Sequence, residues 1–508
     1  MWFAGDVHAQ FELPGTQPKE NRIQLGAVRQ CVLCHSESAM GANDPTFSWS
    51  GGMMAQAARD PVFRAALAIS NQDIAGSGEF CLRCHAPSAW LEGRSTPADG
   101  SALSEEDLNG VSCALCHRLE DPRDAAAEAF AAKRPPAPGN AMMVVDPANV
   151  IRGPYGDDAA ARMRPHMVKK SEFLASSELC GTCHNVSNPT LAEDAARQPP
   201  HAYGHIERTY SEWLLSDFAK RGAAGTCQSC HYPPVAGGGV ASRITSVQRE
   251  HFVTHGPTGG STWVQDATWL VWNGKGMDRK ALDAAKERAR KLLRTAAKLE
   301  LSRAENGRVR LRIINQTGHK LPTGYPEGRR MWVRMRFLGA DGGLIAELGR
   351  YGERDDTIFG KPVRVPTLLD ADATRIYECL PGMSAERAAA FGKQPGPSFH
   401  FVLNDVIVKD NRIPPVGFAN AAFAEHQCAP VGATYADGQH WDDVEFDVPA
   451  GAARVEAHLV YQSVSWEYIK FLAEENRTDD WGRRLYEAWR KTGMCPPEVI
   501  AEAGISLE

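Results

Sequence analysis

Cys31-Val-Leu-Cys34-His35 opens a series of five Cys-x-x-Cys-His segments, continued by Cys81-Leu-Arg-Cys84-His85, Cys113-Ala-Leu-Cys116-His117, Cys180-Gly-Thr-Cys183-His184 and Cys227-Gln-Ser-Cys230-His231. With 13 Cys and 16 His in 508 residues, chance supplies about a hundredth of one such segment. One chemistry uses every residue of the pattern. Two residues between the cysteines, wound as a helical turn, bring both sulfurs to the vinyl edge of a haem. The next residue then lies under the ring, where its imidazole binds iron. Zinc sites use four ligands and do not require a His after every second Cys, and a thioredoxin-like motif would occur once beside a βαβ unit. The segments therefore predict five haem c groups held by ten cysteines, with His35, His85, His117, His184 and His231 as proximal ligands.

Second ligands must come from elsewhere in the chain. His166, His205 and His255 lie among the motifs and are expected on the far side of three irons, with His201 and His251 as weaker candidates. No histidine occurs between His35 and His85, so Met54, beside Met53, is the nearest soft atom that could complete a pair there. His8, in a polar N-terminal arm with Pro14 and Pro18, reads more simply as a solvated side chain.

Residues 1–275 thus read as a pentahaem cytochrome c domain, mainly helical or irregular, because side chains can pack on porphyrin faces in place of a conventional core. Arg134-Pro-Pro-Ala-Pro-Gly139 marks a loop within it, and an Ala-rich helix should run to about Ile69. Residues 276–303 place Leu282, Ala285, Ala289, Leu292, Ala296 and Leu299 at helical spacing, which predicts a connecting amphipathic helix over 277–300. The period then changes to two. Val309, Leu311 and Ile313 alternate with arginines, as do Met331, Val333, Met335 and Phe337 with their neighbours, and Asp341-Gly-Gly343 supplies a turn. Further strands are expected at 374–380, 398–408, 444–448 and 455–461, so residues 304–465 read as an all-β, antiparallel sandwich-like domain, followed by a helical tail over 466–508. Between the first two strands, the Gly/Pro loop of Thr317 to Gly324 presents His319, which as a ligand to a haem of the first domain would tie the two halves together.

The net charge of −6 argues against nucleic acid, and no run of 18 or more apolar residues predicts a membrane span. Haem attachment of this kind implies export, to the periplasm or the cell exterior. The Met-Trp-Phe-Ala-Gly-Asp start lacks a leader's basic region and apolar run, so a leader is expected to have been removed or to lie upstream. Three cysteines remain, and an oxidising compartment favours a disulfide between Cys379 and Cys428, leaving Cys495 over.

The segments Ser48-Trp through Met53-Met54-Ala-Gln-Ala-Ala-Arg-Asp-Pro61, Phe80-Cys-Leu-Arg-Cys-His85, Ser177-Glu-Leu-Cys-Gly-Thr-Cys-His184, Thr317-Gly-His-Lys-Leu-Pro-Thr-Gly324 and Lys409-Asp-Asn-Arg-Ile-Pro-Pro415 resemble a large family of bacterial multihaem c-type cytochromes. The haem-bearing part is similar to the tetrahaem cytochrome that accepts electrons from hydroxylamine oxidoreductase. The resemblance implies an exported electron carrier with mostly six-coordinate haems in stacked pairs, then a β-rich domain. The departure is the haem number, five against four, so the resemblance assigns neither the second ligands nor a partner.

Two function classes follow. In the first, the chain relays electrons between a redox protein donor and an acceptor, and every iron has two protein ligands. In the second, it is a reductase of a nitrogen or sulfur compound with one open iron, the anion being held by groups such as Arg329, Arg330 and His319. A third possibility is a haem-wire subunit of an extracellular assembly, either a homo-oligomer or a membrane-associated redox complex.

Overall fold

The computed structural model describes residues 12–20, 23–36, 44–130, 134–156, 166–244 and 247–507; His8 lies outside them. The first half consists of short helices joined by long turns and two-stranded ladders. Asp44 caps Pro45–Ser50 by accepting from the Thr46 and Phe47 amides. Asp60 caps Pro61–Asp73 by accepting from the Val62 amide. In both helices a proline opens the first turn, where its missing N–H costs nothing.

The amphipathic helix runs over Arg279–Leu293, capped by Asp278, and is shorter than expected. Ala297–Arg303 is a strand, paired with Val309–Asn315 so that Leu299 lies opposite Ile313. Apolar residues at 296 and 299 satisfy a helical period and, with 297 and 301, a strand period; cross-strand packing decides between them.

Two antiparallel sheets share one apolar core. Trp441–Phe446, Val309–Asn315 and Ala297–Arg303 form the first. The second orders Leu344–Leu348, Arg330–Leu338, Arg454–Gln462 and Glu498–Ser506, with Ile376–Tyr377 also paired to Arg330–Leu338. Leu299, Val309, Leu311 and Ile313 from the first meet Met331, Val333, Met335, Phe337, Val455 and Leu459 from the second. Beyond them lie a hairpin of Tyr351–Ile358 with Lys361–Leu368 and a small sheet centred on Cys379–Met383. The expected strand over 398–408 is mostly turn, with Val406–Asp410 alone extended.

The C-terminal stretch is helical over Trp466–Glu475 and Trp481–Lys491, but it ends in the strand Glu498–Ser506, which the helical expectation missed. The two helices pack on Pro61–Asp73, where Val62, Ala65 and Ile69 meet Trp466, Ile469, Leu472, Leu485 and Trp489. The end of the chain therefore closes over the first half. Among the described residues, no helix is long and apolar enough to cross a membrane.

Candidate haem-attachment and ligand sites

Each motif sits in or beside a helical turn, which brings the two cysteines, three residues apart, to one side. Val28–His35, Gly78–His85 and Cys227–His231 end on the motif histidine, and Cys113–Cys116 is followed at once by His117. Cys180 lies in Ser177–Gly181, with Cys183 and His184 in the turn beyond. Ser112 and Thr226 cap their helices by accepting from the Leu115 and Ser229 amides.

All five motif histidines are held through Nδ1. His35 bonds Ala241 O at 2.6 Å, His85 bonds Ala57 O at 3.3 Å, His117 bonds Arg152 O at 2.5 Å and His231 bonds Thr258 O at 2.5 Å. His184 bonds the Glu207 carboxylate at 3.2 Å. An oxygen at Nδ1 fixes the proton there and leaves the Nε2 lone pair for a metal. Burial holds His85 and His231 down to about 4, the neutral form that a ligand must have. The His184 side chain is 47% exposed, and the Glu207 carboxylate beside its Nδ1 raises it to about 9.

Three of these rings face a second imidazole across a gap. His35 and His166 have ring centres 6.4 Å apart with planes at 23°, His117 and His255 are 6.3 Å apart at 19°, and His231 and His319 are 6.4 Å apart at 29°. Imidazoles bind transition metals at about 2 Å, so two of them on opposite sides of one iron have ring centres a little over about 6 Å apart. The donor set and its spacing fit haem iron with two imidazole ligands.

The facing histidines are positioned in different ways. His166 opens the strand Met167–Lys170, which pairs in parallel with Val150–Gly153, the strand whose Arg152 carbonyl holds His117. The His255 amide donates to Ser48 Oγ at 3.1 Å. His319 is held through Nδ1 by Lys320 O at 2.9 Å, and it comes from the β-rich half of the chain.

His205, expected as a ligand, lies half-buried on the His205–Glu207 strand and faces no motif imidazole at this spacing. Among the described residues His85 and His184 have no imidazole opposite them; the His85 ring stacks on Phe63 at 3.7 Å. Tyr232, the residue after the fifth motif, donates to Met54 Sδ at 3.8 Å. His251 is exposed.

His201 packs directly on His426 at 3.8 Å and 9°, which leaves no room for a metal between the rings. Burial, with His426 and Arg208 adding repulsion, pushes His201 down to about 4. The unfolded chain, with an ordinary histidine near about 6.5, therefore binds this proton more tightly. The stability involved is present above about pH 6.5 and is lost as pH falls toward about 4. The thermal midpoint should drop over this window, and His201→Gln should flatten the drop; an unchanged slope in the variant would contradict the assignment.

The motifs lie against one another. Cys31 and Cys113 are within hydrogen-bonding reach, as are Cys84 and Cys183, and Cys180 and Cys227. Cys116 lies near Cys183. The first motif thus adjoins the third, the third the fourth, and the fourth both the second and the fifth. Solvent reaches the first motif, where Leu33 is 63% exposed, the fifth, where Cys230 is exposed, and His184 of the fourth.

The expected Cys379–Cys428 disulfide is not formed. Both are buried free thiols, as is Cys495, and burial raises all three, Cys428 to about 12 and Cys495 to about 11. Arg330 is engaged by Glu467 and Gln462 and lies over Trp332, so it is committed to the fold. Arg329 lies over Tyr325 and donates to Thr323 O at 2.7 Å, while its Nε is buried without a partner. Residues such as Glu207 and Arg152, which orient the motif histidines, carry no spacing signal and were not foreseen.

No family model matches the chain, and no curated protein does. In three dimensions it is similar to a solved structure, the crystal structure of a penta-heme cytochrome c552 from Thermochromatium tepidum. The two share 16% identity with a TM-score of 0.54, over 95% of this chain and 99% of that one. At that identity the likeness establishes a common fold.

Proposed function

We propose that the chain is a multihaem c-type cytochrome that relays electrons between redox partners through five covalently bound haems, one on each Cys-x-x-Cys-His segment. The observation that carries this reading is the set of three imidazole pairs at 6.3 to 6.4 Å, each joining a motif histidine to one remote in sequence. Haem iron bound there supplies one-electron chemistry, passing between ferric and ferrous states. His166, His255 and His319 act as the second ligands at the first, third and fifth motifs. Iron held between two imidazoles would have no place for a substrate, which suits transfer and disfavours catalysis at those three sites.

The abutting motifs support a relay, because groups attached to neighbouring cysteines are themselves neighbours. The exposed first and fifth motifs are the places where partners would dock, and the β-rich half reads as a sandwich-like domain that delivers His319. The acidic chain favours partners with basic docking faces. An exported location, periplasmic or extracellular, accompanies this attachment chemistry. The purified protein should exceed the polypeptide mass by about five haems and show a six-coordinate, low-spin spectrum at most of them. A mass increment of fewer than five haems would end the proposal.

A second reading has its own observation. His85 and His184 lack a facing imidazole among the described residues, so one of them could hold an iron open to a small nitrogen or sulfur compound. Arg329, five residues beyond the loop that carries His319, has a buried Nε without a partner and is a cation such a compound could meet. Titrating the ferrous protein with carbon monoxide separates the two readings: stoichiometric binding to the native protein favours the reductase, and none favours the relay.

A further inference from the structure

Four enclosed charges meet where the Thr317–Gly324 loop touches the segment Lys409–Pro415. Lys320 Nζ donates to Asp410 Oδ2 at 2.7 Å, and both side chains are fully enclosed. Arg412 donates to the same carboxylate through Nε at 2.8 Å and Nη2 at 2.7 Å. Its Nη2 also lies 3.0 Å from Glu212 Oε1, and the Lys320 amide and Thr323 hydroxyl donate to Glu212 Oε2 at 3.1 and 2.7 Å. Two cations and two anions balance.

The cluster spans the two halves of the protein. Glu212 lies on the helix Thr209–Leu214, whose Tyr210 amide donates to the His184 carbonyl, while Lys320, Asp410 and Arg412 come from the β-rich half. Apolar side chains of similar volume generally stabilise a buried contact as well as an ion cluster does, so stability alone does not account for it. Its geometry accounts for something else. It holds the backbone of Lys320, whose carbonyl fixes His319 Nδ1, and a two-way backbone pairing of Leu321 with Ile413 completes the grip.

We propose that this quartet is the positioning device that seats His319 opposite His231, with Asp410 its central member, so that docking of the β-rich half and closure of the fifth iron site are one event. The inference rests on the reading of His319 as a ligand. Without Asp410 two enclosed cations repel, and the loop that carries His319 is driven out.

The test uses the haem-loaded full chain and measures carbon monoxide bound per ferrous chain, together with the ferric high-spin signal, in Asp410→Ala, Asp410→Glu and His319→Ala. Asp410→Ala should gain about one equivalent over the unaltered protein, matching His319→Ala, and Asp410→Glu should restore most of the native value. If Asp410→Ala does not accumulate, Lys320→Met should show a fractional gain of the same kind. Variants that melt earlier but bind no extra carbon monoxide would reduce the quartet to a structural contact and overturn the proposal. Should His319→Ala itself leave binding unchanged, the ligand reading fails first and the inference falls with it. A gain in His319→Ala alone would refute only the role of the quartet.

Discussion

Replacing His255 by Ala should open one iron, so that the ferrous protein takes up about one more equivalent of carbon monoxide and about a fifth of the ferric spectrum turns high-spin. The ring sits 6.3 Å from His117 and is anchored by its amide to Ser48 Oγ and by contact with Phe252. Its Nδ1 is buried without a protein partner, and burial holds it down to about 4, so the group is neutral and available through Nε2. A surface histidine would give no such response. His251→Ala, four residues away and exposed, is the matched control and should leave both readouts as they were. Equal spectra for the two variants would refute the pairing of His255 with the third motif.

A larger loss of stability is expected from Arg152→Met. The Arg152 guanidinium is enclosed between two carboxylates, bonding Glu120 and, at 2.6 Å, Asp146, and all three side chains are buried. Methionine fills most of the volume but leaves two anions facing each other, with Arg118, bonded to the Asp146 carbonyl, as the remaining nearby cation. Removing one partner of a buried ion set in this way costs about 3–5 kcal/mol. The Arg152 carbonyl also holds His117 Nδ1, so the haem spectrum should change before global unfolding. Adding Glu120→Gln and Asp146→Asn should recover part of the loss. Denaturant unfolding of the haem-loaded protein measures it, and a single variant within about 1 kcal/mol of the parent would contradict the argument.

The attachment sites were legible in the sequence because their chemistry is local: cysteine, cysteine and histidine lie within one helical turn, and nothing remote is needed to read them. His166, His255 and His319 could be named as candidates because imidazoles are scarce, but spacing could not say which motif each one faces. That pairing comes from long-range contacts, such as the parallel ladder that sets Val150 opposite Met167 and brings His166 to the first motif. His201 shows the same limit from the other side. It has the same composition and neighbourhood as the three facing histidines, yet its partner is His426 and no gap is left.

In the second half, alternation exposed the long strands, whereas ambiguous periods hid the junctions. Residues 297–303 satisfied two patterns at once. The final strand was readable, with Ala501, Ala503 and Ile505 turned inward, but the two helices before it drew attention away from a short alternating run of small residues. At Leu380 and Pro381 the register shifts, since proline offers no amide to the ladder, and the expected strand over 374–380 divides into two.

The pairing of Arg454–Gln462 with Glu498–Ser506 has a consequence for biogenesis. All five attachment segments end by residue 231, so they emerge from the ribosome long before the strand that completes the larger sheet. On the proposed reading, covalent loading would have an early window during export in which these thiols are reachable before the sheets close. On the same reading the imidazole of His319 would arrive afterwards, and closure of the fifth site would be the step that marks a finished molecule.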